Sequence, residues 1–160
     1  MGWKIALSSQ ALSVALSMAF VGCTGQPNPE KVYRANQETF IELNRVLRLN
    51  YPLLVAGDTC NRLSPGQLTI TPHDYQVCFP TLNASVSTAL ESAFSKGVAQ
   101  QITLTQSALI VQVGVESTDL KTIFYSILFG PPPTIAEGVD IRTYAIAPGV
   151  IAYVDVQDSY

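Results

Sequence analysis

The first 23 residues read as an address rather than as part of a fold, and they fix how much chain is left to build one. A single cation, Lys4, precedes an apolar run from Ile5 to Gly22 that ends in small residues beside Cys23. One cation followed by such a run is the pattern of a secretory signal peptide. Ser8, Ser9, Gln10, Ser13 and Ser17 interrupt it, so it falls short of the roughly 20 predominantly apolar residues of a permanent transmembrane helix. Removing 22 of 160 residues leaves 138, enough for one domain around one core. With 48% hydrophobic and 13% charged residues, the chain is too apolar for intrinsic disorder. Nine Lys and Arg stand against twelve Asp and Glu, a net charge of −3, so nothing favours a phosphate backbone and no nucleic-acid partner is expected.

Phe20-Val21-Gly22-Cys23 resembles the lipobox of bacterial lipoproteins. That resemblance implies cleavage before Cys23, lipidation of its sulfur (diacylglycerol, with palmitate-type chains) and a membrane partner reached through the anchor. Phe20 stands where the family usually has Leu. Thr24, in place of Asp, implies a periplasm-facing position on the outer rather than the inner membrane of a double-membraned host. The other readings are an ordinary signal peptide cut elsewhere, with Cys23 lost or free, and an apolar first helix of a cytosolic protein. Thr24 to Pro29 reads as a polar tether, giving an organisation of signal segment 1–22, tether 23–29 and a single domain 30–160. Three cysteines in an exported chain leave one over. If Cys23 carries lipid, Cys60 and Cys78 form an even pair, either a disulfide or two buried thiols.

Within the domain, Asn28-Pro29-Glu30 starts a helix: Asn caps, Pro suits the first turn and Glu favours the positive end. Phe40, Leu43, Val46 and Leu47 recur at helical spacing, and Arg34, Glu38, Glu42 and Arg45 fall on the wet side. Pro52 ends or kinks this helix near Asn50, before an apolar turn, Leu53 to Ala56. Leu68 to Thr71 alternates like a strand, and Tyr75 to Phe79 reads as another. Asn83 caps a helix carrying Val86, Leu90 and Phe94, with Gly97 as its stop. Residues 101–105 and 108–115 read as paired strands, the second alternating Ile110, Gln112 and Gly114 with Val111, Val113 and Val115. Leu120, Ile123, Phe124, Ile127 and Leu128 predict a third amphipathic helix, capped at Ser117 or Thr118 and stopped by Gly130 and the prolines 131–133. Residues 139–146 and 150–156 around Pro148-Gly149 predict a hairpin. The fold class is α+β, with a largely antiparallel sheet ending in that C-terminal hairpin.

Residues 48–56, Arg-Leu-Asn-Tyr-Pro-Leu-Leu-Val-Ala, followed by Cys60 and by Pro72-His73-Asp74-Tyr75, resemble the N-terminal region of M48-like envelope peptidases that carry a PDZ module. The match covers about 35 residues. The family's H-E-x-x-H zinc helix is absent, because His73 is the only histidine, and two histidines on one helical face are what that site requires. The resemblance therefore implies an accessory module assisting a protease in trans, with no catalytic or metal residue and no cofactor carried over. No phosphate-binding loop and no G-x-S-x-G elbow occurs. His73 beside Asp74 reads as a surface or capping histidine. Glu38 and Glu42 share a helical face rather than facing each other across a cleft. Asn83-Ala84-Ser85 matches a glycosylation acceptor by chance. Tyr144 and Tyr153 read as hairpin packing or an aromatic contact surface. The expected role is a lipid-anchored envelope module that binds a protein partner or a small apolar ligand.

Overall fold

In the computed structural model, residues 26–60, 66–132 and 140–158 are described. The expected signal segment 1–22, Cys23 and Val139 lie outside them. Asn28 caps α1 (Pro29–Ala35) by accepting the Lys31 backbone N–H at 3.0 Å. The single helix expected from Asn28 to Asn50 is two. The side chain of Asn36 donates back to the Val32 carbonyl at 3.0 Å and its backbone leaves the helical region, so α2 (Gln37–Leu49) starts afresh. Phe40, Leu43, Val46 and Leu47 are all buried, as their spacing predicts. Asn50 breaks α2 as expected, and Tyr51-Pro52 opens the short α3 (Tyr51–Gly57), of which Leu54 is buried.

β1 (Leu68–Ile70) is followed by a correction. Residues 75–78 form one helical turn, α4 (Tyr75–Cys78), not a strand. The groups that bury are Tyr75, Cys78 and Phe79, at helical spacing, while Val77 points out at 72% exposure. Cys60 and Cys78 are joined as a disulfide with Cα atoms 5.2 Å apart, and Thr59 ties the same corner down by donating its N–H to the Cys78 carbonyl at 3.0 Å. α5 (Ala84–Ser95) is capped by Asn83, which accepts the Val86 N–H at 2.9 Å. It ends at Gly97, whose φ of +65° suits only glycine without strain.

The remaining strands are β2 (Gln101–Leu104), β3 (Leu109–Ser117), β4 (Lys121–Phe129), β5 (Asp140–Ala147) and β6 (Val150–Asp158). They form one antiparallel sheet in the order β1-β2-β3-β4-β6-β5. The expected α+β class and C-terminal hairpin are both present. The expected helix over 118–129 is not: those residues form β4, deep in the sheet. The run Tyr125 to Phe129 is buried on both faces, which is how a central strand comes to read as a continuous apolar run. On the outer face Leu128 lies between Ile110 and Ile151. Leu120, the first residue of the supposed stripe, is 75% exposed in the turn before β4. The core lies between α1, α2 and α5 and the inner face of the sheet.

Phe40, fully buried and 5.8 Å from the Tyr33 ring, tests this core. Phe40→Ala costs about 3–5 kcal/mol in urea unfolding, whereas Ile41→Ala, at a half-exposed neighbour, stays within about 0.5 kcal/mol. Opening the disulfide with Cys60→Ser and Cys78→Ser together frees a separation of 18 residues. In the chain-entropy picture this lowers the unfolding free energy by about 3 kcal/mol.

Candidate functional site: a groove at the end of the sheet

The helical layer is narrower than the sheet. α2 and α5 pack on each other, and α1 is the helix that approaches β4 and β6. Beyond α1, the start of β4, the end of β6 and the start of β5 carry the inner face onward as the floor of an open groove of about 920 Å³. Its rungs follow from register. Tyr144, Ala152 and Ile127 lie directly across β5, β6 and β4; so do Arg142, Val154 and Tyr125, and then Asp140, Val156 and Ile123. Directly opposed residues share a face. Burial falls along these rungs, from Ile127 and Ala152, which are fully buried, to Val154 and Val156, which are half-buried.

The other wall is the lead into α1. A Cβ placed on Gly114 would lie 2.6 Å from the Cβ of Pro27, so only glycine lets the proline ring seat on β3. A bulge between Gln112 and Gly114 turns Gly114 to the inner face, opposite Tyr125. The simple alternation expected for 110–115 therefore fails at Val113. Residues 26–28 of the expected tether thus lie against the domain, and with Lys31 and Val32 they line the groove.

Lys31, Lys121 and Arg142 stand around the groove, with Asp140 as the one acidic lining residue among those described. The Arg142–Asp140 pair is 3.3 Å apart and largely exposed, which makes it weak. Tyr125 donates its hydroxyl to Glu116 at 3.0 Å. Burial, reinforced by Glu116, raises the Tyr125 pKa. Burial, with the charge of Glu30 behind it, raises that of Tyr144. The described lining holds no histidine, cysteine or serine. It offers apolar area and positive charge, which bind.

A second pocket of about 350 Å³ lies between α3 and the start of α5, lined by Leu53, Leu54, Phe79, Leu82 and Val86 among others. Its asparagines serve the fold: Asn83 caps α5 with its oxygen and donates its amide to Asn50 at 2.7 Å. That pocket presents no charge, and the groove is the better site.

The structure brings together few of the residues singled out from sequence. Cys60 and Cys78 are bonded; Cys23 lies outside the described residues. His73 and Asp74 are exposed in the turn before α4. Glu42 takes a hydrogen bond from Arg45 at 2.8 Å, which lowers its pKa, the opposite of what a general acid needs. Tyr144 and Tyr153 lie on opposite faces of the hairpin, since Tyr144 pairs with Ala152 and Tyr153 with Thr143, and so make no common aromatic surface. No group of three or more His, Cys, Asp or Glu among the described residues is placed to hold a metal ion, and none of their helices is long and apolar enough to cross a membrane. The groove was missed because its central strand reads as a helix. Its sequence signal is the alternation of Arg142 and Tyr144 with Val154 and Val156 in the hairpin.

No protein-family model, curated protein or solved structure matches the chain.

The raised tyrosines have a measurable consequence. Burial also raises Tyr153, beside Asp155. A tyrosine with a raised folded-state pKa gives stability that is complete below its ordinary value of about 10. That stability is lost as pH climbs through the folded value. In an alkaline titration followed by tyrosinate absorbance, Tyr125, Tyr144 and Tyr153 ionise above pH about 10, and the unfolding midpoint falls over the same range. Tyr125→Phe removes one of these steps.

Proposed function

We propose that the chain is a cell-envelope lipoprotein, anchored through acyl chains on Cys23, whose domain acts as a binding module and performs no catalysis. The groove carries this reading: it is open, apolar-floored, flanked by cations and free of reactive groups among its described lining. The anchor is supported by the lipobox-like Phe20-Val21-Gly22-Cys23 and by the pairing of Cys60 with Cys78, which leaves Cys23 as the odd cysteine. Each acyl chain adds about 0.8 kcal/mol of membrane affinity per buried CH₂, so two or three chains hold a protein firmly. Thr24 in place of Asp favours a periplasm-facing position on an outer membrane where the host has two. In this reading the ligand, or the envelope protein that partners the domain, meets it close to the bilayer.

Intact mass of the protein taken from the membrane fraction of a bacterial host tests the anchor. The expected product starts at Cys23, carries acyl mass and gains two protons on reduction. Cys23→Ser leaves the chain unacylated. An unacylated wild-type chain that starts elsewhere overturns the lipoprotein reading. Recovery of an envelope protease with the domain, together with lower protease activity when the chain is deleted, would favour the accessory-module alternative.

A further inference from the structure

The groove's chemistry narrows its occupant, and the inference rests on the binding-module reading above. We propose that the groove binds one single-chain amphiphile with an anionic head, the class of a long-chain carboxylate. The tail would lie along Ile123, Tyr125, Tyr144, Val154 and Val156, and the head would meet Lys31, Lys121 and Arg142.

Three observations carry this. The first is the floor. Tyr144 and the two rungs Arg142-Val154-Tyr125 and Asp140-Val156-Ile123 run across β5, β6 and β4 and are apolar except at Asp140 and Arg142. The volume of about 920 Å³ lies within the range of sites for small molecules rather than proteins. An apolar trough of this kind takes a tail because its wall and floor lose water together.

The second is charge. Among the described residues, three Lys and Arg line the groove against a single acidic one, Asp140. An acidic protein that gathers cations around one apolar trough in this way is complementary to an anion there. Three further acids lie nearby: Asp158 stands directly across from Lys121 at the outer end of the floor, so Lys31 and Arg142 carry most of the complementarity, while Glu116 and Glu30 each face a tyrosine. Glu116 is held by the Tyr125 hydroxyl, and Glu30 accepts from Arg34 at 2.9 Å while its charge acts on Tyr144.

The third is that all three cations are exposed. Among the described residues Arg142 is the one of the three with an ion pair, the long one to Asp140, so an anionic head would displace little there. A cationic head would meet like charge at the same place.

The test uses the full chain in phosphatidylcholine vesicles. The probe is palmitate bearing a diazirine near its methyl end, with the matching uncharged alcohol as the control. After photolysis, adducts are mapped by peptide mass spectrometry. The expected adducts fall on 121–125 and 142–156, are competed by plain palmitate, and are weaker with the alcohol. Lys31→Glu, Lys121→Glu and Arg142→Glu together lower carboxylate labelling about tenfold and leave alcohol labelling unchanged. The corresponding three Gln substitutions, which add no negative charge, give an intermediate loss and keep the test open if the Glu variant unfolds.

Adducts spread over the chain, or labelling that ignores the charge changes, overturns the proposal. Equal labelling by carboxylate and alcohol overturns the anionic head. The pattern appearing in a chain that carries no lipid on Cys23 would sink the anchor and keep the groove. A lipidated chain without the pattern would do the reverse.

Discussion

The packing of one amphipathic helical layer on a wider sheet governs the rest of this molecule. Phe40, Leu43, Val46 and Leu47 of α2 and Val86, Leu90 and Ala93 of α5 join the inner face of the sheet in one core. A helix covers a stripe of about 10 Å, while six strands at about 4.8 Å spacing span more than twice that. Two helices side by side therefore leave strands over, and α1 covers only part of the remainder. What remains is a sheet face too apolar for water and too far from the helices to be filled by them. The groove is thus a consequence of the mismatch in width, and the residues that line it keep the inward pattern of a core.

The small elements on the other side of the domain depend on this packing too. α4 is a single turn, shorter than any helix that is stable alone. It holds because Tyr75 and Cys78 are anchored, the first in the core against Phe94 at 5.7 Å between ring centroids and the second by its bond to Cys60. Thr59 spends both its N–H and its hydroxyl on the Cys78 carbonyl, which satisfies a carbonyl the short helix leaves without an intrahelical partner. The disulfide and these hydrogen bonds act on the same few residues, so they fix the corner between α3 and α5.

What the sequence makes legible here is local and polar. Asn28 and Asn83 announce helix starts because a side-chain oxygen satisfies a donor three residues on, a device complete within one turn. The Pro148-Gly149 turn announces its hairpin in the same way. β4 was illegible for the opposite reason. Ile123, Phe124, Ile127 and Leu128 fit a helical stripe and a doubly buried strand equally well, and only β3 and β6 on either side decide between them. The β-branched and aromatic content of Thr122 to Phe129 leans toward strand. Tyr75 to Phe79 fails in mirror image: its β-rich composition reads as strand, yet its buried positions repeat at helical spacing. The groove was hidden by a bulge in β3 and another between Ala145 and Ala147 in β5. Each adds one residue and turns the following side chains to the other face, so the alternation within β5 and within β6 is legible, but counting from the turn does not say which face of one meets which face of the other.

The seating of Pro27 on Gly114 bears on how such a domain would sit if Cys23 holds lipid. A flexible tether of seven residues would let the domain wander and face the bilayer in any direction. With Pro27 fixed to β3, three residues separate the seated ring from the proposed anchor, and the four Cα steps between them reach at most about 14 Å in extended chain. The lead that ends at Pro27 is also a wall of the groove. The anchor then sets orientation as well as address. If that lead lies toward the bilayer, the cations lining the same groove would add attraction for an anionic head over a screening length of about 8–10 Å.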